Sequence, residues 1–322
     1  MGTIFRSKRN FTRYAWFVLG FLILVILWGA VVRATGSGAG CGSHWPRCNG
    51  VIIPLDAEIE TIIEFTHRVT SAFSGVLVLG MMFWAFRLFP KHHIVRKGAV
   101  LSTFFIITEG LVGAGLVLLE LVGDNASLSR AVAMALHLVN TFFLLAAVTL
   151  TAWWAGGGAS MRLRGQGKVG WLVVIGLILM LILGASGAVT ALGDTLFPAG
   201  SLIEGISQDF VPTAHFLIRL RVYHPIIGII TGIYLFLAGT ALERERPGVQ
   251  TLILSRAVKF IVVTQLIAGF VNLLLLAPVW MQIIHLLLAD LLWIAVILLG
   301  AVTLSQEAAL PQPVKLASQA GD

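Results

Sequence analysis

Long apolar runs, each closed by a short cluster of charged or Gly/Pro-rich residues, recur along the whole chain. Eight such runs stand near residues 15–32, 65–86, 99–119, 131–153, 170–192, 222–241, 258–277 and 279–304. Each approaches the ~20 residues that a helix needs to cross a bilayer. The runs are continuous and do not alternate between apolar and polar positions as the strands of a membrane barrel do, so the pattern predicts helices. The expected fold class is an all-α membrane protein with eight transmembrane helices. Two connecting segments are long, 33–64 and 193–221, against tight turns at 120–130 and 277–280. Long connections of that kind are often functional.

Composition sharpens the picture. Of 322 residues, 58% are apolar and 11% charged, against about 25% charged in a soluble domain, which excludes a water-soluble globule. The net charge of +7 could serve nucleic acid or anionic lipid, and its placement decides. With the N-terminus inside, Arg33, Arg47, Arg68, Arg130, Arg219 and Arg221 fall outside, and the other 16 of the 22 basic residues fall inside. This is the positive-inside signature of an N-in, C-in protein of the cell membrane, and it speaks against a nucleic-acid partner. The first run leads into Arg33 without a small-residue cleavage site, so it reads as a retained anchor.

The chain also resembles itself. Gly29-Ala30-Val31 recurs as Gly187-Ala188-Val189 at an offset of 158, His67 as His224 at 157, Thr108-Glu109 as Thr264-Gln265 at 156, and His137 as His285 at 148. Four runs plus four runs, each half starting on the same side, predict two four-helix bundles related by a pseudo-twofold axis along the membrane normal. The expected division is an N-terminal bundle over 1–154, a cytoplasmic Gly-rich basic linker over 155–169, a C-terminal bundle over 170–306 and a cytoplasmic tail over 307–322.

Eight histidines are present. His92 and His93 fall in an inner loop and His44 and His215 in outer loops, where solvated surface histidine is expected. His67, His137, His224 and His285 fall on the second, fourth, sixth and eighth runs, which all cross in the same direction. His67 and His224 stand at the outer mouths, and His137 and His285 about 10 Å deeper at 1.5 Å per residue. A lone intramembrane histidine usually hydrogen-bonds across helices. Two repeated pairs instead suit an iron porphyrin held axially between facing helices, whereas zinc wants three or four ligands.

Glu64 precedes His67 by three residues and shares its helix face. It is either a carboxylate beside a porphyrin edge or an interfacial partner of Arg68. Arg221 holds the corresponding place in the second half. An acid suits a developing cation or a proton transfer, and an arginine suits a haem propionate. Cys41 and Cys48, the two cysteines, lie in an outer loop where a disulfide can form; zinc bound by Cys41, His44 and Cys48 is the other reading. Glu109 and Asp290 lie deep enough to be functional candidates, and Gln265 in the place of Glu109 favours an interhelical hydrogen bond there.

Carried by TGSGAGCGSHWPRC, by EFTHR with Glu64, His67 and Arg68, by MALHL with His137, and by His224 with His285, the whole chain resembles the haem A synthase family. The resemblance implies oxidation of the C8 methyl of haem O to a formyl group, giving haem A for cytochrome oxidase. It implies that His67 and His137 take the substrate haem, that His224 and His285 ligate a resident haem b, and that Glu64 is the catalytic carboxylate. Cys41 and Cys48 match the family's outer-loop pair. Arg68 and Arg221 are secondary candidates. Haem O, haem O synthase, an electron acceptor of unstated identity, membrane lipid and a second copy of the chain are the partners to consider. The competing readings are a dihaem b-type cytochrome that oxidises quinol and a transporter built from repeats. The second is disfavoured by histidines that cluster near one face rather than the midplane.

Overall fold

The computed structural model describes residues 2–55 and 57–306. The tail expected over 307–322 lies outside the described residues. Among them the chain is helical: α1 (Gly2–Ala34), α2 (Ile59–Leu88), α3 (Ile94–Leu118), α4 (Leu128–Ala155), α5 (Gly167–Leu196), α6 (Leu202–Asp209), α7 (Phe216–Leu220), α8 (Tyr223–Glu245), α9 (Val249–Leu274) and α10 (Val279–Ser305). Eight stretches are long and apolar enough to cross a membrane, α7 and α8 together counting as the sixth.

Several helices start earlier than the hydropathy runs, and at α4 a cap sets the start. Ser127 accepts a hydrogen bond from Arg130 N and opens α4, although Ser129 and Arg130 dilute the apolar pattern there. His137 is therefore the tenth residue of its helix rather than the sixth or seventh. Likewise α5 starts at Gly167 and runs to Leu196, shortening both the linker and the second long connection. That connection is not an open loop, since α6 and α7 occupy much of it. Pro225 is the third residue of α8, in the first turn where its missing N–H costs nothing.

Helices α1 to α4 close a ring in which each packs on the next and α4 returns to α1; α5, α8, α9 and α10 close a second ring in the same order. The rings meet where α1 and α4 pack on α5 and α10. At that seam Phe142 and Trp293 stack with centroids 4.9 Å apart, and Trp293 Nε1 donates to Phe142 O at 2.6 Å. Both rings are buried, so the seam is core rather than a loose contact. At one end Arg33 of α1 reaches across to donate to Ala191 O and Thr195 Oγ1 of α5 and to Gln282 Oε1 of α10, each at 2.7 Å. At the other end the linker folds onto α10: Arg162 N and Gln166 Nε2 both donate to Leu304 O, and Arg246 donates to Gln166 Oε1. Exposed apolar side chains such as Leu24, Phe83, Leu111, Ile233 and Phe270 clothe the outside, as lipid requires.

Candidate functional site

The four intramembrane histidines fall two to each ring. His224 of α8 and His285 of α10 lie with ring centroids 6.3 Å apart and planes crossed at 83°. Two imidazoles sharing one metal, each at about 2 Å from it and with about 1.2 Å from nitrogen to ring centre, stand a little over 6 Å apart, so the observed spacing admits a shared iron. His67 of α2 and His137 of α4 lie within range of each other's charge. The Nδ1 atoms of His67, His137 and His285 are buried and have no hydrogen-bond partner among the described residues.

Glycines make room for these rings. A Cβ on Gly29 of α1 would sit 2.9 Å from His67 Cε1, one on Gly187 of α5 would sit 3.0 Å from His224 Cε1, and one on Gly269 of α9 would sit 3.0 Å from His285 Cε1. Real Cβ contacts are rarely so short, so the imidazoles rest closely on bare backbone. The repeated Gly-Ala-Val tripeptides thereby gain a physical meaning: each supplies a seat for the ring of the next helix. Ser186, beside Gly187, adds a contact of 3.0 Å between its Oγ and His224 Nδ1.

One turn before His67, the Glu64 carboxylate is buried and bound on both oxygens. Oε1 pairs with Arg68, at 2.5 Å from Nη2 and 3.0 Å from Nε, and Oε2 accepts from Cys41 N at 2.8 Å. Arg68 Nη1 also donates to His44 O and Arg47 O. Cys41 and Cys48 are joined in a disulfide, and Glu64 with Arg68 clamps that closed loop onto the mouth of α2. Of the two readings of Glu64, the partnership with Arg68 is thus realised in the geometry.

Over residues 12–297 the sequence matches the family described as cytochrome oxidase assembly protein, COX15-CtaA. The chain belongs to this family. A Thermus thermophilus relative, "Protoheme IX farnesyltransferase", is 52% identical over 295 residues, which are 92% of this chain and 48% of that protein. A Shouchella clausii protein named "Heme A synthase" is 48% identical over 96 residues, 30% of this chain and 32% of that one. Another "Heme A synthase", from Halalkalibacterium halodurans, is 43% identical over 96 residues, again 30% of this chain and 32% of the relative. The chain thus spans about half the length of the Thermus relative it matches, and about a third of the others.

Within this member of the cytochrome oxidase assembly family, one arginine has partners that the sequence did not announce and two histidine expectations need correction. Arg221 is engaged by two carboxylates: its Nη1 lies 3.3 Å from Asp194 Oδ1 and its Nη2 2.9 Å from Asp209 Oδ1. Burial lifts the Asp209 carboxyl above its ordinary range, and Arg221 works against that rise. His93 and His215 are half-buried rather than fully solvated. Each caps a helix by accepting from the backbone N two residues on, at 3.3 Å, and each ring packs on a phenylalanine, Phe89 and Phe197. His44 is exposed, as expected.

The expected interhelical hydrogen bond at Glu109 is present, from Asn140 Nδ2 at 2.5 Å. What sequence reasoning missed is its second neighbour: Glu109 Oε1 stands 3.3 Å from His137 Nδ1. Gln265, its counterpart, likewise meets His285, with Nε2 3.3 Å from the ring Nε2 and 3.1 Å from the backbone O. The repeat of Thr-Glu as Thr-Gln was the signal that could have paired these residues with the histidines. Asp290, fully buried in α10, has no hydrogen bond to either oxygen among the described residues.

Proposed function

We propose that this chain is a haem A synthase of the cell membrane, oxidising the C8 methyl of haem O to a formyl group. The observation that carries the reading is the His224–His285 pair, with ring centroids 6.3 Å apart, in one ring and its counterparts His67 and His137 in the other, with a buried carboxylate one turn before His67, in a chain of the cytochrome oxidase assembly family. In this reading the two rings are a duplicated bundle, residues 1–154 and 170–306, related by a pseudo-twofold axis, and the histidines lie towards the outer face. His67 and His137 hold the substrate haem. His224 and His285 fit a resident haem b, which supplies a one-electron redox centre when bound.

The residues of this chain do the positioning. Gly29 lets His67 lie against α1, fixing the ring that meets the substrate iron. Withdrawing two electrons and a proton from the methyl leaves cationic character on a benzylic-type carbon, and the Glu64 carboxylate, oriented by Arg68 and Cys41 N–H, stabilises it while water adds. Each round takes two electrons to an acceptor and releases two protons. Two rounds give the hydrated aldehyde, which loses water to the formyl group.

The printed name of the Thermus relative belongs to a protein about twice as long as the matched part. Prenyl transfer from a diphosphate calls for carboxylates free to bind Mg²⁺ with the phosphates. Here Glu64, Asp194 and Asp209 each stand in an ion pair with an arginine and Glu109 bonds to α4, and no group of three histidine, cysteine or carboxylate side chains that could hold a metal ion occurs among the described residues. The histidine pairs favour oxidation of the methyl instead. A dihaem electron carrier uses the same pairs, and the test separates the two: express the full chain with a supply of haem O and chromatograph the extracted haems. A synthase yields haem A beside haem b; haem b alone would make the chain a carrier.

A further inference from the structure

Glu109 of α3 and Gln265 of α9 occupy corresponding places, and each meets the histidine of the next helix in a different setting. Glu109 sits in a polar cage. Its Oε2 accepts from Asn140 Nδ2, and its Oε1 lies 2.5 Å from Thr141 Oγ1 and 3.3 Å from His137 Nδ1. The Asn140 amide is fixed in orientation, because Oδ1 accepts from Thr108 Oγ1 at 2.7 Å and Nδ2 also donates to Phe105 O at 3.0 Å. A half-enclosed carboxylate needs donors of this kind. At the offset of 148 that relates His137 to His285, Asn140 and Thr141 become Leu288 and Ala289. The donors vanish together with the acid: Thr264 bonds back to Phe260 O in its own helix, and the neutral Gln265 faces His285.

We infer that Glu109 and Gln265 are positioning residues that make the two iron sites electronically unequal, a carboxylate–imidazole contact in one ring and an amide–imidazole contact in the other. The inference rests on the proposed ligation of haem by these histidines. A ligating imidazole that donates its remaining N–H to a carboxylate is fixed in tautomer and orientation and becomes a stronger donor to the metal. The 3.3 Å separation is just beyond an ordinary N–H···O bond, and a slight ring rotation closes it. The stronger donor favours ferric over ferrous iron, so the site of His67 and His137 lies at the lower potential, as suits the macrocycle that must give up electrons.

The test is a redox titration of the full-length chain, purified in detergent and loaded with iron protoporphyrin IX, with His67→Ala and His285→Ala assigning the two waves. Glu109→Gln is expected to shift the His67–His137 wave upward and leave the other in place, and Gln265→Glu to shift the His224–His285 wave downward. Glu109→Asp keeps the charge but draws it back from the ring, and is expected to move the wave in the same direction as Gln. A role in packing alone would change haem content without moving the potential of the haem still bound. Unchanged midpoints in both swaps with haem retained overturn the inference and leave haem binding standing, and a wild-type potential in Glu109→Asp overturns the contact as the cause. Should Glu109→Gln fail to fold, Gln265→Glu decides alone, the absence of a downward shift counting against the inference. A wild-type chain with no Soret band overturns the haem ligation itself, and this inference with it.

Discussion

The ring of α1 to α4 and the ring of α5, α8, α9 and α10 seat corresponding imidazoles on corresponding glycines and then surround them with opposite chemistry. Gly29 under His67 and Gly187 under His224 are nearly interchangeable contacts, 2.9 and 3.0 Å from an added Cβ. One turn before each histidine, however, stands Glu64 in one ring and Arg221 in the other, and both are buried in ion pairs of reversed sense. Beside the deeper histidines stand Glu109 and Gln265. What is shared is the means of seating imidazoles between helices. What differs is the charge next to them, and under the proposed function that is where a substrate site parts from a permanent cofactor site.

Exchanging those charges sharpens the contrast most. Glu64→Gln is expected to keep both haems yet slow conversion of haem O by at least about 100-fold, the scale of a lost charged catalytic group; haem chromatography of the variant checks it, and an undiminished rate moves the chemistry elsewhere. Arg221→Gln leaves Asp194 and Asp209 without their cation. A fall of about 1–3 kcal/mol in stability is expected, read as an earlier thermal transition in detergent, while conversion by the chain that remains folded stays near normal. The glycine seats come next. Gly29→Ala and Gly187→Ala should each crowd one imidazole at a cost of about 1–3 kcal/mol, seen as partial loss of the haem of that ring alone. The smallest effect separates another corresponding pair: Gly269→Ala should disturb His285, whereas Gly113→Ala meets open space and should leave the spectrum unchanged.

Much of this was legible in the sequence, and the physical reasons are particular. Eight spans were visible because lipid demands long apolar runs. The four histidines and the Gly-Ala-Val tripeptides were visible because they recur along the chain at offsets of 148 to 158. The cysteine pair at 41 and 48 is a disulfide, one of the two readings its loop position allowed. Helix ends were missed where Ser127 caps α4 ahead of the apolar run and where α6 and α7 fill a segment that looked like loop. The partners of Arg221 were missed because Asp194 and Asp209 lie 27 and 12 residues away and meet it only through the fold. Glu109 was seen as a polar residue seeking another helix, but its contact with His137 depends on how α3 and α4 face each other, which spacing along one helix does not encode. His93 and His215 looked like surface groups because nothing in their neighbours announces a cap.

The central claim is that two histidine pairs hold two different haems, one exchanged and one kept. Extraction of pigments from His137→Ala and His285→Ala, each expressed with a supply of haem O, tests it most directly. His137→Ala should retain haem b and lose haem O and haem A, and His285→Ala should lose haem b. The same haem content in both variants as in the wild-type chain, or loss of one and the same haem in each, would contradict it.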